Sequence, residues 1–145
     1  MYMLMPGKVF FLSGEEFCRS KMGEENSYNL PLSVNAINWE NVDTYRDMVS
    51  YYKKLIALRK SLSALNKKEG PSEIKKTFCR RGAIGFKVHE GTKEILVVFN
   101  AREKSFRLRM TKGEWKVLLC SDSSFHPDTK LLPAKCAVVL ESVSN

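Results

Sequence analysis

The sequence lacks any apolar run long enough to cross a membrane. Its longest ones, such as Val9 to Leu12 and Ile95 to Phe99, have the length of single strands. No positive charge precedes the apolar opening Met1 to Met5 and no small-residue cleavage site follows it, so neither a membrane nor a secretory signal is expected. Histidine is scarce. His89 and His126 fall on separate segments without an acidic or serine partner in view, and neither reads as catalytic. The four cysteines, Cys18, Cys79, Cys120 and Cys136, include no Cys-x-x-Cys pair and have no histidine at zinc-ligand spacing. No metal and no cofactor is therefore expected. This usage suits a reducing cytoplasm better than a disulfide framework, although an even count leaves room for one bridge.

Also missing is any run of five or more like charges. The net charge of +8 and the basic pI invite a nucleic-acid reading, but the charge is dispersed. Residues 1–40 hold three basic against five acidic side chains, residues 41–70 hold seven against three, and residues 71–145 hold fourteen against eight. With no aromatic platform interleaved among the basic residues, a solvated basic surface is the expectation and a nucleic-acid partner is not. There is no internal repeat and no low-complexity tract.

What is present divides near residue 70. Lys8 to Ser13 is a short apolar run ending at Gly14, with the character of a parallel-sheet strand buried on both faces. A polar loop, Glu15 to Glu40, follows. It is long for a compact domain, and long ordered loops are usually functional. Val42, Tyr45, Met48, Val49, Tyr52, Leu55, Ile56 and Leu62 then recur at helical spacing, with Arg46, Lys53, Lys54, Arg59 and Lys60 off that stripe. They predict one helix of about 22 residues, or roughly 33 Å, with Asn41 as its N-cap and Asp43 near its positive end. Gly70-Pro71 breaks the chain.

After residue 70 the period changes to that of strands: Ile84 to His89, Glu94 to Asn100, Ser105 to Met110, Glu114 to Cys120 and Lys135 to Leu140. Turns are expected at Gly91-Thr92, at Lys112-Gly113 and over Ser121 to Asp128. Phe106, Leu108 and Met110 alternate with Arg107 and Arg109. The expected fold is α+β: a β-loop-α unit followed by an antiparallel β-sandwich with Greek-key connections. One parallel strand cannot stand without neighbours, so the first half reads as part of something larger.

The order of features over residues 6–60 resembles one family. Pro6 to Phe17 is similar to the eighth barrel strand of the α-amylase superfamily, where a glycine-proline-apolar run ends in Gly-x-Glu. Glu16 to Asn29 resembles the type I pullulanase pattern Glu-Phe-x-Arg-Thr-Lys-x-Gly-x-x-Asn-Ser-Tyr-Asn. Val34 to Trp39 is similar to Ile-Asn-x-Ile-Asp-Trp, and Tyr51 to Lys60 to the eighth barrel helix. Gly14 and Glu16 belong to the wider superfamily pattern, whereas Arg19 to Lys21 with Asn26 to Tyr28 points to the debranching branch. Ser20 stands where the pattern has threonine, Asn38 where it has aspartate, and Pro6-Gly7 reverses the usual order.

The resemblance implies a division at residues 1–69, the end of a (β/α)8 catalytic barrel (strand 8, loop, helix 8), and residues 70–145, a C-terminal antiparallel β-sandwich domain. It also implies a retaining glycosidase acting on α-1,6 branch points of pullulan, starch or glycogen through two carboxylates about 5 to 5.5 Å apart. A third carboxylate assists. All three would end barrel strands that precede this chain, so no catalytic residue is expected in it and the chain alone should be inactive. Glu15 and Glu16 do not replace them, because adjacent residues at a strand end point to opposite sides. The loop could still touch an α-glucan through Asn26, Tyr28 and Arg19, which supply paired hydrogen-bonding groups and an aromatic face. Glu16 is expected to brace the loop or pair with Arg19, and Trp39 to be a buried anchor where loop meets helix. Two other readings stand beside this one: an isoamylase or glycogen-debranching hydrolase, and a non-catalytic β-sandwich that binds glycan. The apolar stripe and the run Val9 to Ser13 are expected to self-associate or to pack onto the β half.

Overall fold

The computed structural model describes residues 2–66, 74, 76–80 and 82–143. It contains three helices, α1 (Leu32–Asn35), α2 (Asn41–Thr44) and α3 (Arg46–Ser61). Seven strands follow: β1 (Lys76–Arg80), β2 (Ala83–Glu90), β3 (Lys93–Asn100), β4 (Phe106–Arg107), β5 (Trp115–Cys120), β6 (Leu131–Leu132) and β7 (Cys136–Ser142). The expected α+β class holds.

Strands β1, β2, β3, β7 and β5, in that spatial order, form one antiparallel sheet, and β4 pairs with β6 in a second, two-stranded one. Strict alternation on β3 and β7 gives the main sheet two apolar faces. Phe86, Val88, Ile95, Val97 and Val139 lie on one, sharing a core with Leu55, Leu62, Leu65, Met3 and Leu4. Leu96, Val98, Val138 and Leu140 lie on the other, beneath Leu108, Trp115, Phe125 and Leu132. The register enforces this: Val97 faces Phe86 and Val139, while Leu96 faces Leu140. Each fully buried Leu, Ile or Val contributes about 1.5–3 kcal/mol.

The β half is thus a lopsided sandwich, five strands against two. Four of the five expected runs form strands close to their expected limits. The fifth, Ser105 to Met110, pairs only over Phe106–Arg107, although Phe106, Leu108 and Met110 do share the core face. Gly91-Thr92 makes the two-residue hairpin between Glu90 and Lys93, and the positive φ of 61° at Gly91 is what such a turn demands. Strands β1 and β6 carry too little alternation to be read from the sequence. Gly70-Pro71 lies outside the described residues.

Two expectations for the first half are corrected. Lys8 to Leu12 forms no strand, and Phe10 stands 92% exposed. A parallel strand needs a neighbour on its edges, and among the described residues none reaches it. The long helix is divided at Tyr45 (φ −110°, ψ 37°) into α2 and α3, so α3 spans about 24 Å. Asn41 is the first residue of α2 and makes no side-chain cap; the residue before it is Glu40.

The helical segment packs onto the sheet through Leu55 and the turn Ser63–Leu65. Glu90, at the end of β2, accepts from Ser63 Oγ at 2.6 Å and from the Ala64 amide at 2.7 Å, which ties that turn to the sheet. Arg59, although off the apolar stripe, is buried.

Candidate functional site

The loop between Ser13 and Glu40 is organised by backbone satisfaction. Gly14 adopts φ 95°, and a Cβ there would sit 2.8 Å from the Arg19 side chain, so only glycine fits. Its amide donates to Glu16 Oε2 at 3.0 Å, and its carbonyl accepts from the Phe17 and Arg19 amides at 3.1 and 2.8 Å. Glu16 therefore braces the turn Glu15–Phe17 rather than pairing with Arg19. Glu15 turns the other way, accepting from the hydroxyls of Tyr2 and, at 3.2 Å, Tyr52. Burial, with Glu15 a smaller cause, raises both phenols above their ordinary value. The two adjacent carboxylates serve different partners.

Asn35 is the organising side chain that the sequence did not single out. Its Nδ2 donates to the carbonyls of Ser27 at 2.6 Å and Leu30 at 2.8 Å, and its Oδ1 accepts from Lys21 Nζ at 2.5 Å. Its own carbonyl accepts from Arg19 Nη2, while Arg19 Nη1 donates to the Ser13 carbonyl at 3.0 Å. Desolvation, with the Arg19 charge a smaller cause, draws the Lys21 ammonium below its usual value. Arg19, Lys21 and Asn35 thus fold Ser20 to Leu30 into a fixed lobe. The only signal in the sequence was an asparagine among loop residues, a type that often caps backbone groups.

This lobe presents Asn26 and Tyr28 outward, with Tyr28 83% exposed. Arg19 is partly buried and donates to the Ser13 and Asn35 carbonyls. Trp39, expected to be buried, is 67% exposed, although its ring contacts buried Phe17 at a centroid distance of 5.8 Å. Two of the three departures from the family pattern, Ser20 and Asn38, bond to loop backbone. Ser20 Oγ accepts from the Met22 amide at 2.9 Å, and Asn38 Oδ1 accepts from the Glu40 amide at 3.1 Å, bonds that need no methyl and no carboxylate.

His126 has an acidic neighbour that the sequence reading did not see, Asp128 at 3.3 Å, but both are solvent-exposed. Among the described residues no group of three or more His, Cys, Asp or Glu could hold a metal, and no helix is long and apolar enough to cross a membrane.

The α+β fold resembles the carboxy-terminal region of pullulanase. No protein-family model matches the chain. It is 29% identical to a pullulanase of Bacillus subtilis (strain 168) over 94% of its own length, and spans only about a fifth (20%) of that relative. It is 35% identical to an isoamylase of Flavobacterium sp over 45% of its length and 8% of that protein. The crystal structure of a pullulanase from Anoxybacillus sp. LM18-11, complexed with maltotetraose, superposes with a TM-score of 0.80 at 28% identity, covering 98% of this chain and 22% of that one. The chain is homologous to these proteins and is a pullulanase-like carboxy-terminal segment.

Proposed function

We propose that this chain is the carboxy-terminal part of a retaining glycoside hydrolase that cleaves α-1,6 branch linkages in pullulan-, starch- or glycogen-type glucans. In this reading residues 1–69 close a catalytic barrel, residues 70–145 form the terminal sandwich, and the catalytic carboxylates lie outside the chain. The observation that carries it is the lobe held by Arg19, Lys21 and Asn35, which has the pullulanase pattern and leaves Asn26 and Tyr28 exposed. Tyr28 offers an aromatic face and Asn26 a paired donor and acceptor, the groups that recognise a sugar ring. Arg19 is assigned to shaping the lobe. The pullulanase structure with maltotetraose bound supports an α-glucan as the ligand of the whole enzyme.

The test is a chimera in which residues 1–145 replace the matching segment of the Bacillus subtilis pullulanase. The expected result is release of reducing sugar from pullulan, with KM raised about tenfold by Tyr28→Ala and kcat little changed. The isolated chain should release none; sustained turnover by it that Glu16→Gln abolishes would refute the reading. The isoamylase similarity supports a second reading, the isoamylase or glycogen-debranching type, marked by preference for glycogen over pullulan. A non-catalytic glycan-binding module would instead bind maltotriose by calorimetry and confer no activity on the chimera.

A further inference from the structure

We propose that Cys120 and Cys136 form a convertible dithiol, a modification site that closes to a disulfide between β5 and β7. The two sulfurs are in contact at 3.5 Å, and both side chains face the same core beneath β4 and β6. In the register Cys120 faces Val138, which makes Cys136 its diagonal neighbour on that face. Ser121 holds the backbone here: its amide donates to the Ala137 carbonyl and its Oγ accepts from the Ala137 amide, each at 2.9 Å. Ser121 Oγ also lies 3.6 Å from Cys136 Sγ, placed to donate to that sulfur as it takes on negative charge. Closure requires the two sulfurs to approach from 3.5 Å to about 2.05 Å.

Access is graded. Cys120 is half-buried and Cys136 fully buried, so a small reagent reaches Cys120 first. With a low-molecular-weight disulfide as oxidant, the Cys120 thiolate attacks one of its sulfurs. A mixed disulfide forms and one small thiolate leaves. The Cys136 thiolate then attacks the Cys120 sulfur, the protein disulfide forms, and the second small thiol departs. The protein dithiol loses two electrons and two protons, and the small disulfide gains them. Burial pushes the Cys120 thiol up to about 11, so closure is slow near neutrality and accelerates as pH rises.

The consequence falls on β5. Among the described residues it is an edge strand paired only to β7, and its register shifts between Val117 and Leu119. A covalent link at its last residue holds that edge closed.

The experiment uses the full chain with exposed Cys18 and Cys79 changed to serine, incubated with oxidised glutathione at pH 8. The expected result is loss of about 2 Da, a Cys120–Cys136 cross-linked peptide in the non-reducing map, a Tm raised by several degrees, and reversal by dithiothreitol. Adding Cys120→Ser should abolish the mass loss, with Cys136→Ala as the second control. Stable glutathione adducts without cross-linking, or both cysteines remaining alkylatable in the unfolded product, would overturn the proposal.

Discussion

The Arg59 guanidinium donates from Nη1 to the Met3 carbonyl at 2.9 Å, across 56 positions of sequence. It also reaches the carbonyls of Met5 at 2.7 Å, Leu65 at 3.0 Å and Gly7. One helical side chain thereby gathers the amino-terminal segment and the turn after α3, satisfying four carbonyls at once. Burial lowers its pKa, yet arginine keeps its charge, and charge-assisted bonds are the strong ones.

Replacing Arg59 should therefore cost more than a surface charge. Arg59→Leu is expected to lower stability by about 3 kcal/mol, since several buried carbonyls lose their donor. Urea unfolding checks it. Arg59→Lys should recover only part, because an ammonium cannot fork to four acceptors.

The lobe depends on Asn35 in the same way. Asn35→Ala removes the donor to Ser27 and Leu30 and the acceptor for Lys21. Hydrogen exchange over residues 20–30 is expected to quicken at least tenfold while the sheet stays protected. Unchanged exchange in the lobe would contradict this role.

Gly85 faces Phe78 across β2 and β1, and a Cβ there would lie 2.5 Å from the ring. That ring in turn stacks on Phe106 at 5.6 Å, linking the main sheet to β4. Gly85→Ala should displace Phe78 and cost about 1–3 kcal/mol. Adding Phe78→Leu should relieve part of that loss, and thermal unfolding of the two variants checks it.

Glu94 accepts from Lys87 Nζ at 2.7 Å and from Thr111 Oγ1 at 3.1 Å, and the Lys87 bond chiefly holds its carboxyl below the usual range. A carboxyl with a depressed folded-state pKa stabilises the fold above its unfolded value, near pH 4.3, and loses that contribution as pH falls through the lower, folded one. Lys87→Met should flatten the stability profile below about pH 4.5. An unchanged acid limb would show that the pair contributes nothing.

Phe10, Leu12 and the outer side of α2 and α3, with Tyr45 and Met48, stay exposed although Val9, Phe11, Leu55 and Leu62 pack against the core. The isolated chain is expected to self-associate through this surface. Light scattering across a concentration series checks it, and a clean monomer throughout would count against it.

Much of this protein can be read from local order. Short alternating or apolar runs bounded by turn residues placed β2, β3, β5 and β7. The loop pattern from Glu16 to Asn29 marked the lobe, since glycine at a positive φ and asparagine at a backbone cap are chemical requirements of single positions. Tertiary structure decided the rest. Helical spacing put Arg59 off the apolar stripe, and only the arrival of Met3, Gly7 and Leu65 carbonyls made its burial favourable. Val9 to Leu12 has a strand's composition and no strand's bonds, because pairing depends on a neighbouring edge. Trp39 has an anchor's character and stays exposed for the same reason. A side chain's preference is local, but its burial depends on what the chain brings to it.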